Sequence, residues 1–482
     1  MSDSSGVPSV DELLVRLAER DALIVVLTAR VETLTARVVE LEARLGKNSQ
    51  NSSKPPSTDA FVKPPSRSLR RPSGRKPGKQ SGGQGMRLEP VTDPDEVITH
   101  VPQACTGCGR DLGAAPVLSE RVRQVFDLPP IRLQVAEHRV QARRCSCGDV
   151  TTAAFPAEAT AQACYGPRVS ALGTYVMARH HLPVARTAEL MDDCFGAPVS
   201  TGWLAGLQGR AAAGLEPFNT TAIEYLRNAP VAHFDETGAR VAGGLAWIHV
   251  ACDHRFTRLH LAPSRGRSSM EIGNILGTGF TGVAVHDGLN AYRSYDLDHA
   301  LCGAHHLREL VGIAELTGQD WPTRLGDLLV EMNVTVNEAK TAGKTSLPAR
   351  RLAGYRHRYR ALLAEGMGLH PAPPPTGKQG RPRLGLPRAL LRRLDIYQDD
   401  VLRFAHDFRV PFDNNQAERD VRMVKLQQKI SGCWRSQHGA TAFLDVRSYL
   451  ATAVKQHKNA LEALHELFTT GAWIPQTTGP GP

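Results

Sequence analysis

Apolar residues recur every three or four positions from Val10 to Leu45, and only Arg20 interrupts the series. Sustained over about five heptads, this spacing predicts a coiled-coil helix rather than a helix of a globular domain. β-Branched residues at a positions and leucines at d positions favour a parallel dimer. The a positions are Ile24, Val31 and Val38, and the d positions are Leu27, Leu34 and Leu41. We expect residues 1–46 to form an oligomerisation helix; the alternative is an amphipathic helix that folds back on its own domain.

The regular pattern ends at Gly46, and residues 47–90 are rich in proline, glycine, serine and basic residues. This composition cannot build a hydrophobic core, so a flexible linker is predicted. Between positions 63 and 87 the basic residues have no acidic residue among them, which is typical of an arm that contacts a nucleic-acid backbone. A solvated spacer is the alternative. The candidate DNA contacts in this linker are Arg70, Arg71, Arg75 and Lys76.

Residues 91–155 contain two cysteine pairs, Cys105 with Cys108 and Cys145 with Cys147. The segments between the pairs, "RVRQVFDL" and "RLQVAEHRVQA", alternate like β-strands. Four thiolates saturate a tetrahedral Zn²⁺ ion and hold together a segment that is too small to fold alone. We therefore predict a small β domain with a structural zinc ion, and four free buried thiols are the alternative. The second pair has the spacing Cys-x-Cys, which is tighter than usual for zinc.

Residues 156–228 are predicted to be helical. Between Pro183 and Ala212 the sequence predicts a helix, a short glycine-containing turn and a second helix with Ser200 as its N-cap. This is the arrangement of a helix-turn-helix motif that reads DNA. It is equally the arrangement of two packed helices with no reading role, and the sequence favours neither.

The pattern changes to α/β over residues 229–312. Three short strands are predicted, the first ending at Asp235, and a helical segment and a fourth strand ending at Asp287 follow. This order is typical of a ribonuclease-H-like core, in which the ends of the first and fourth strands lie side by side. Asp235 and Asp287, 52 positions apart, are therefore predicted to face each other.

Two carboxylates held that close repel each other unless a cation lies between them. Mg²⁺ fits oxygen ligands, and two such ions about 4 Å apart activate a water or a 3′-hydroxyl and stabilise the leaving oxygen of a phosphodiester. A third carboxylate is needed, and "PFDNNQAERDVRMVKLQQKI" offers Glu418 and Asp420 on a helix capped by Asn414 or Asn415. The two acids point about 200° apart around such a helix. Only one of them can face the aspartates, and spacing alone does not decide which.

The alternative role for Glu418 is a surface ion pair with Arg422, four residues further on. Candidate contacts to DNA phosphates beside the site are Arg419, Arg422 and Lys425. Residues 313–410, between the second and third carboxylates, are predicted to form an α-helical insertion interrupted by a basic, proline-rich loop. Residues 411–470 are predicted to complete the core and add C-terminal helices, and residues 471–482 to form a flexible tail.

The 482 residues carry a net charge of +10 and have a pI of about 9.3, which favours a polyanionic partner, nucleic acid first. The N-terminal sequence lacks the basic and apolar regions of a signal peptide, and its longest apolar run is too short to span a bilayer. We therefore expect no membrane partner. Nine cysteines, four of them in pairs, suit metal binding in a reducing cytoplasm better than a disulfide framework.

Several segments together carry a family resemblance. They are the heptad helix, "LGKNSQNSSKPPSTD", the cysteine pairs, "DETG", "HDG", "CGAHHLRE" and "NNQAERDVR". Through them nearly the whole chain resembles the insertion sequence 66 family of bacterial DDE transposases. The resemblance implies that the catalytic carboxylates, which hold Mg²⁺ or Mn²⁺, are Asp235, Asp287 and Glu418, and so it selects Glu418 over Asp420. It also places a Cys-x-x-His-x-x-Arg pattern on Cys302, His305 and Arg308, which we expect to brace the helix after the fourth strand; the alternative is a second metal site there.

The expected function is that of a multidomain α/β DNA transposase that cuts and joins the ends of an insertion element. Water and then a DNA 3′-hydroxyl would serve as nucleophiles. The expected partners are double-stranded DNA of the terminal repeats and of the target, a second copy of the chain, and small accessory transposition proteins, in the bacterial cytoplasm at the nucleoid. The alternatives are a non-catalytic DNA-binding protein derived from a transposase and a ribonuclease-H-like nuclease without strand transfer.

Overall fold

The computed structural model describes residues 9–46, 51, 88–277, 279–373 and 384–477. The linker residues Arg70, Arg71, Arg75 and Lys76 lie outside these ranges. The helices are α1 (Val10–Leu45), α2 (Pro167–Arg179), α3 (Val184–Phe195), α4 (Thr201–Ala213), α5 (Glu216–Arg227), α6 (Arg267–Glu271), α7 (Gly303–Thr317), α8 (Trp321–Thr341), α9 (Ala349–Leu369), α10 (Leu386–Ile396), α11 (Gln398–His406), α12 (Asn415–Ser431), α13 (Gln437–Lys455) and α14 (Ala460–Leu467). The strands are β1 (Ala142–Arg144), β2 (Val150–Thr152), β3 (Val231–Val241), β4 (Gly244–Cys252), β5 (Thr257–Ala262), β6 (Val283–His286) and β7 (His299–Leu301).

Helix α1 begins with a capping box. The Ser9 hydroxyl accepts a hydrogen bond from the Glu12 backbone N–H at 3.2 Å, and the Glu12 carboxylate accepts one from the Ser9 N–H at 3.0 Å. The described residues do not cover the apolar stripe of the helix, since Leu27, Val31 and Leu34 expose between 50 and 61% of their surface. An apolar stripe of this kind favours a partner helix from outside the chain.

The cysteine-containing region has little regular structure. Strands β1 and β2 pair antiparallel and carry the second cysteine pair between them. The two strands predicted between the cysteine pairs do not form, because residues 116–141 take part in no β-ladder. The alternating apolar residues of this segment, such as Val125 and Leu128, are 91% and 81% exposed. They have no second layer to pack against, and alternation alone does not stabilise a strand.

Helices α2, α3 and α4 pack around a small hydrophobic cluster that includes Met177, Met191 and Leu204. The left-handed conformation of Gly196 ends α3, and the Ser200 hydroxyl accepts a hydrogen bond from the Trp203 N–H at 3.1 Å to begin α4. The two helices and the Ser200 cap form as the sequence predicts.

A five-stranded mixed sheet forms the centre of the molecule, in the order β5-β4-β3-β6-β7. Strands β3, β4 and β5 pair antiparallel, whereas β6 is parallel to β3 and β7 is parallel to β6. The first and fourth strands predicted in this region, β3 and β6, are therefore neighbours. Strand β7 was not predicted, because three residues carry too short a pattern.

Strand β3 does not end at Asp235 as predicted; it continues to Val241. The antiparallel ladder with β4 runs to the Val241–Gly244 pair, across a two-residue turn in which Ala242 and Gly243 have φ angles of 50° and 79°. Positive φ at both positions is the requirement of a type I′ hairpin turn. With this turn, β3 continues beyond the point at which its parallel ladder with β6 ends.

Two hydrophobic clusters cover the sheet. One joins residues of β3, β4 and β5 to helices α5, α12, α13 and α14, and contains Phe234 and Phe443. The other joins β6 and β7 to helices α7 to α11, and contains Val285 and Trp321. Helices α8 to α11 fall where the sequence predicts a helical insertion, and residues 374–383 of its basic loop lie outside the described residues.

A pair of histidines lies on the adjacent strands β4 and β5. His249 and His260 stack with ring centroids 5.1 Å apart, and their Nε2 atoms face the carbonyl oxygens of Ser264 and Ser269 at 2.9 and 3.1 Å. Burial, with the neighbouring His249 as a second cause, lowers the pKa of His260 to about 3, and burial lowers the pKa of His249 as well. The fold therefore holds both imidazoles neutral.

Acidification should destabilise the protein through this pair. The unfolded chain takes up these protons near pH 6.5, whereas folded His260 does so only near pH 3, so the free energy of unfolding falls as pH falls through that window. We expect His260→Gln, which keeps an amide donor but cannot titrate, to flatten the decrease in urea midpoint between pH 7.5 and pH 5. The exposed His357→Gln is the control, and an equally steep decrease in both variants would contradict the assignment.

Candidate active site

The register between β3 and β6 brings two aspartates side by side. His233 pairs with Val285 at the end of the parallel ladder, and two residues further along each strand lie Asp235 and Asp287. Equal offsets along parallel strands place side chains on the same face of the sheet. Asp287 follows the last residue of β6, and Gly288, with a φ of 96°, lets the chain turn there. The predicted juxtaposition therefore follows from the register.

Each aspartate is oriented by a backbone N–H. Asp235 Oδ1 accepts a hydrogen bond from the Glu236 N–H at 2.9 Å, and Asp287 Oδ1 accepts one from the Leu289 N–H at 2.8 Å. No ion pair neutralises either carboxylate among the residues that the structure describes. Burial raises the pKa of Asp235 well above its usual range, with the charges of Glu236 and Asp287 as further causes. Burial also raises the pKa of Asp287. Partly buried, mutually repelling oxygen ligands of this kind fit a divalent cation.

Glu236 is a further carboxylate that the sequence analysis missed. Its Oε2 accepts a hydrogen bond from the Tyr292 hydroxyl at 2.9 Å, and burial together with the charge of Asp287 raises its pKa to about 7. The two adjacent acidic residues in "DETG" were the sequence feature that could have indicated Glu236. The predicted strand ended at Asp235 and gave Glu236 no role, whereas the longer β3 includes Glu236, close enough to Asp287 for that charge to raise its pKa.

Helix α12 carries Glu418 in its first turn. Its start differs from the prediction: Asn414 occupies the N-cap position, but its side chain does not cap the helix. Asn414 Oδ1 instead lies 2.8 Å from His233 Nδ1, and Asn414 Nδ2 donates to the Phe234 carbonyl at 2.8 Å. The Asn415 N–H is satisfied by Asp413 Oδ1 at 3.0 Å. A completely buried amide thus joins the helix of Glu418 to the strand of Asp235.

Glu418 is close to the aspartates without completing a cluster with them. Its charge contributes to the raised pKa of Asp235. The ligand atoms of the three predicted carboxylates do not form a group within 4.8 Å; within the described ranges, that criterion is met by Cys302, His305 and Glu418. Glu418 Oε1 lies 3.3 Å from an Arg308 nitrogen and 3.5 Å from His305 Nδ1. The alternative surface pair between Glu418 and Arg422 does not form.

Asp420, the other candidate for the third carboxylate, is engaged elsewhere. Its Oδ2 accepts a hydrogen bond from the Thr257 hydroxyl at 2.8 Å and pairs with Lys455 Nζ at 2.7 Å. These contacts tie α12 to β5 and α13. Asp420 therefore has a structural role, and its direction agrees with the helical spacing.

The basic residues of α12 divide into two groups. Arg419 and Arg422 are exposed, as residues that contact DNA phosphates must be. Lys425 is partly buried, and its Nζ donates to the Gly238 carbonyl of β3, so it supports the sheet. Burial lowers the pKa of Lys425.

The two cysteine pairs form similar turns. The Cys105 carbonyl accepts a hydrogen bond from the Gly109 N–H at 2.8 Å, and the Cys145 carbonyl accepts one from the Gly148 N–H at 2.9 Å. Backbone N–H groups lower the pKa of the Cys105 and Cys145 thiols, which favours the thiolate form that binds zinc. No three of the four sulfur atoms, which include Cys108 and Cys147, lie within 4.8 Å of one another. Four cysteine sulfurs are suitable ligands for zinc, although the two cysteine turns are separated in this structure.

Comparison with known proteins identifies the chain. Residues 162–442, more than half of its length, match the model of the "Transposase IS66 family". The chain belongs to this family. Residues 102–148 match the "zinc-finger binding domain of transposase IS66", and residues 6–89 match a family of unknown function, DUF6444. The resemblance stated from the sequence is confirmed, and the zinc-finger match supports a structural zinc ion.

Two relatives come from Sinorhizobium fredii (strain NBRC 101917 / NGR234). Uncharacterized protein y4jD is 25% identical over 407 residues, which cover 78% of this chain and 76% of the relative. Uncharacterized protein y4hP is 24% identical over 258 residues, or 48% of this chain and 46% of the relative. Within the described residues of this transposase, no helix is both long and apolar enough to cross a membrane.

Zinc content should depend on the paired cysteines. After exchange into metal-free buffer we expect about one zinc ion per chain, and Cys145→Ser should reduce it to near zero, because three thiolates bind far more weakly than four. Atomic absorption gives the ratio. The control is Cys194→Ser, an exposed cysteine of α3. Equal zinc in both variants would show that the paired cysteines do not hold the ion.

Proposed function

We propose that this transposase is a DDE enzyme, which cleaves DNA at the ends of an insertion element and joins them to target DNA by metal-dependent phosphodiester chemistry. The observation that carries the proposal is the β3–β6 register, which aligns Asp235 with Asp287 where their ladder ends. Glu418 approaches the same place on a helix that Asn414 attaches to β3.

The central sheet supports a ribonuclease-H-like assignment. In such a core three antiparallel strands are followed by strands parallel to the first, and the fourth strand lies beside the first. The order β5-β4-β3-β6-β7 and the strand directions have this form. Helices α8 to α11 then constitute an insertion between the second and third carboxylates.

Asp235, Asp287 and Glu418 would hold Mg²⁺ or Mn²⁺, which supplies the charge that activates a nucleophile and stabilises the leaving oxygen. Burial raises the pKa values of Asp235 and Asp287, and a bound cation would favour the ionised form of both carboxylates. Water would serve as the first nucleophile and a DNA 3′-hydroxyl as the second. The bond from Tyr292 fixes Glu236 beside them.

Positive charge on α12 and on the chain as a whole supports DNA binding beside the proposed site. Arg419 and Arg422 project from the exposed side of α12, one turn or less from Glu418. The chain as a whole has a net charge of +10. Phosphate contacts from such residues position a duplex without reading its sequence. Helices α3 and α4 and the zinc-finger region are further candidates for contacts with the terminal repeats.

A non-catalytic role remains the second candidate, and one observation favours it. Glu418 is paired with Arg308 rather than grouped with the aspartates. In a protein that only binds the ends of the element, the ion pair between Glu418 and Arg308 would serve to stabilise the fold. The two candidates differ in whether the carboxylates are needed for cleavage.

Substitution of the carboxylates tests the proposal. In a Mg²⁺-dependent nicking and strand-transfer assay on the element's terminal repeats, Asp235→Asn, Asp287→Asn and Glu418→Gln should each lower the rate by more than about a hundredfold, because each removes an ion ligand. DNA binding should be retained. The control is Glu365→Gln, an exposed acid of α9 that pairs with Arg324. Loss of DNA binding in all three variants would point to a structural cluster instead.

We also propose that α1 forms a parallel dimer with a second copy, which would bring two DNA ends together. Leu34→Lys places a charge at a d position, so it should weaken the dimer by at least about tenfold. Val26→Lys, at a neighbouring exposed position off the a/d stripe, should leave it intact. Sedimentation or light scattering gives the masses, and an unchanged dimer in Leu34→Lys would place the interface elsewhere.

A further inference from the structure

A second group of metal-ligand atoms lies beside the carboxylates, at the meeting point of two helix starts. Cys302 is the N-cap of α7, His305 lies in the first turn of α7, and Glu418 lies in the first turn of α12. One sulfur, one imidazole nitrogen and one carboxylate oxygen lie within 4.8 Å of one another. The group comes from two chain segments more than a hundred residues apart, so the fold assembles it.

The backbones around this group are held together tightly. Cys302 Sγ accepts a hydrogen bond from the Asn414 N–H at 3.1 Å, and the Gly303 N–H donates to the Phe412 carbonyl at 2.8 Å. A Cβ atom at position 303 would stand 2.4 Å from the Phe412 ring, so any residue other than glycine would displace this ring. The thiol and the carboxylate are thereby placed near each other before any ion binds.

The geometry suits a tetrahedral ion. With bonds of about 2.0 Å to nitrogen and oxygen, two ligand atoms on tetrahedral zinc stand about 3.3 Å apart. His305 Nδ1 and Glu418 Oε1 are 3.5 Å apart. His305 Nδ1 is buried and has no hydrogen-bond partner. An unsatisfied buried nitrogen is costly, and coordination of an ion would satisfy it.

The chemistry of the donors differs from that of the aspartate pair. A thiolate and an imidazole select softer ions such as Zn²⁺ and Co²⁺, whereas carboxylates alone suit Mg²⁺. Three protein ligands leave one position for water or another ligand. Glu418 is the only member that also belongs to the proposed catalytic set.

The guanidinium of Arg308 is a cation that would compete with a metal ion for Glu418 and His305. Its guanidinium lies 3.3 Å from Glu418 Oε1 and 3.3 Å from His305 Nε2, and it donates to both. Nε2 is then the acceptor, which leaves the proton on Nδ1. For an ion to bind at Nδ1, the Nδ1 proton must move to Nε2. The Nε2–H of His305 and the N–H of Arg308 would then be two donors facing each other, so Arg308 must move away. Arg308 therefore opposes metal binding in two ways.

We propose that Cys302, His305 and Glu418 form a binding site for a soft divalent ion, and that the ion inhibits the enzyme by holding Glu418 away from the two aspartates. Binding displaces one proton from the Cys302 thiol, and the Nδ1 proton of His305 moves to Nε2, so one proton is released per ion. The inhibitory part rests on the proposed DDE function; the binding part does not.

Co²⁺ titration of the full-length protein, with zinc already in the paired cysteines, tests the binding part. We expect a thiolate-to-Co²⁺ absorption band in the wild type and in Cys433→Ser, an exposed-cysteine control. Cys302→Ser, which keeps an acceptor for the Asn414 N–H, should lack the band, and His305→Gln should weaken binding. Arg308→Gln should tighten binding by about tenfold, because its amide oxygen can accept from Nε2–H. No band in the wild type, or an equal band in Cys302→Ser, overturns the site; an unchanged melting temperature shows that each variant is folded.

Cleavage assays test the inhibitory part. Added Zn²⁺ should reduce Mg²⁺-supported cleavage by wild type at least about tenfold, and Cys302→Ser should resist this inhibition. A cobalt band combined with equal inhibition of both proteins overturns the regulatory role and leaves the binding site standing. If wild type does not cleave in zinc-free buffer, the DDE function fails, and the absorption experiment still decides whether the site exists.

Discussion

The repulsion between Asp235 and Asp287 is the constraint on which the rest of the site depends. The parallel register of β3 and β6 holds their carboxylates together, and a slip of either strand by one residue would exchange the side chains that face the two hydrophobic clusters. The hydrophobic clusters on both sides of the sheet therefore stabilise a contact that is unfavourable by itself. Burial raises the pKa values of both carboxyl groups, with the charges of Glu236 and Asp287 as further causes for Asp235, and a divalent cation would favour their ionised forms.

Asn414 extends this constraint to the third carboxylate. Its side chain bonds to His233 and to the Phe234 carbonyl, and its N–H bonds to Cys302, so one buried residue contacts β3 and the start of α7 while it begins α12. A buried amide with its donors and acceptors satisfied specifies a single arrangement, because any shift would leave polar atoms unpaired. The position of the helix that carries Glu418 is thus set relative to the aspartates by hydrogen bonds as well as by packing.

The sequence predicts the elements of the sheet and the pairing of Asp235 with Asp287, because strand order and apolar pattern are local signals. It does not predict the length of β3, since the Ala242–Gly243 turn depends on pairing with β4. Glu236 was missed for that reason. Asn414, one of the two predicted caps, does occupy the N-cap position, but its side chain does not cap the helix, because its partners are distant in sequence. Likewise, no spacing within α12 indicates that Glu418 pairs with Arg308 of α7.

Glu418 stands between two environments, and this explains why it is not grouped with the aspartates. On one side, Arg308 and His305 offer it a positive guanidinium and an imidazole; on the other, the Asp235 carboxylate repels it. Without the proposed catalytic cation the first side has the lower energy, because like charges in a partly buried site are costly. A divalent ion between the aspartates would reverse that preference. The helix starts are fixed by Asn414 and Gly303, so the carboxylate can change sides by rotation of its own side chain, which costs far less than a movement of either helix.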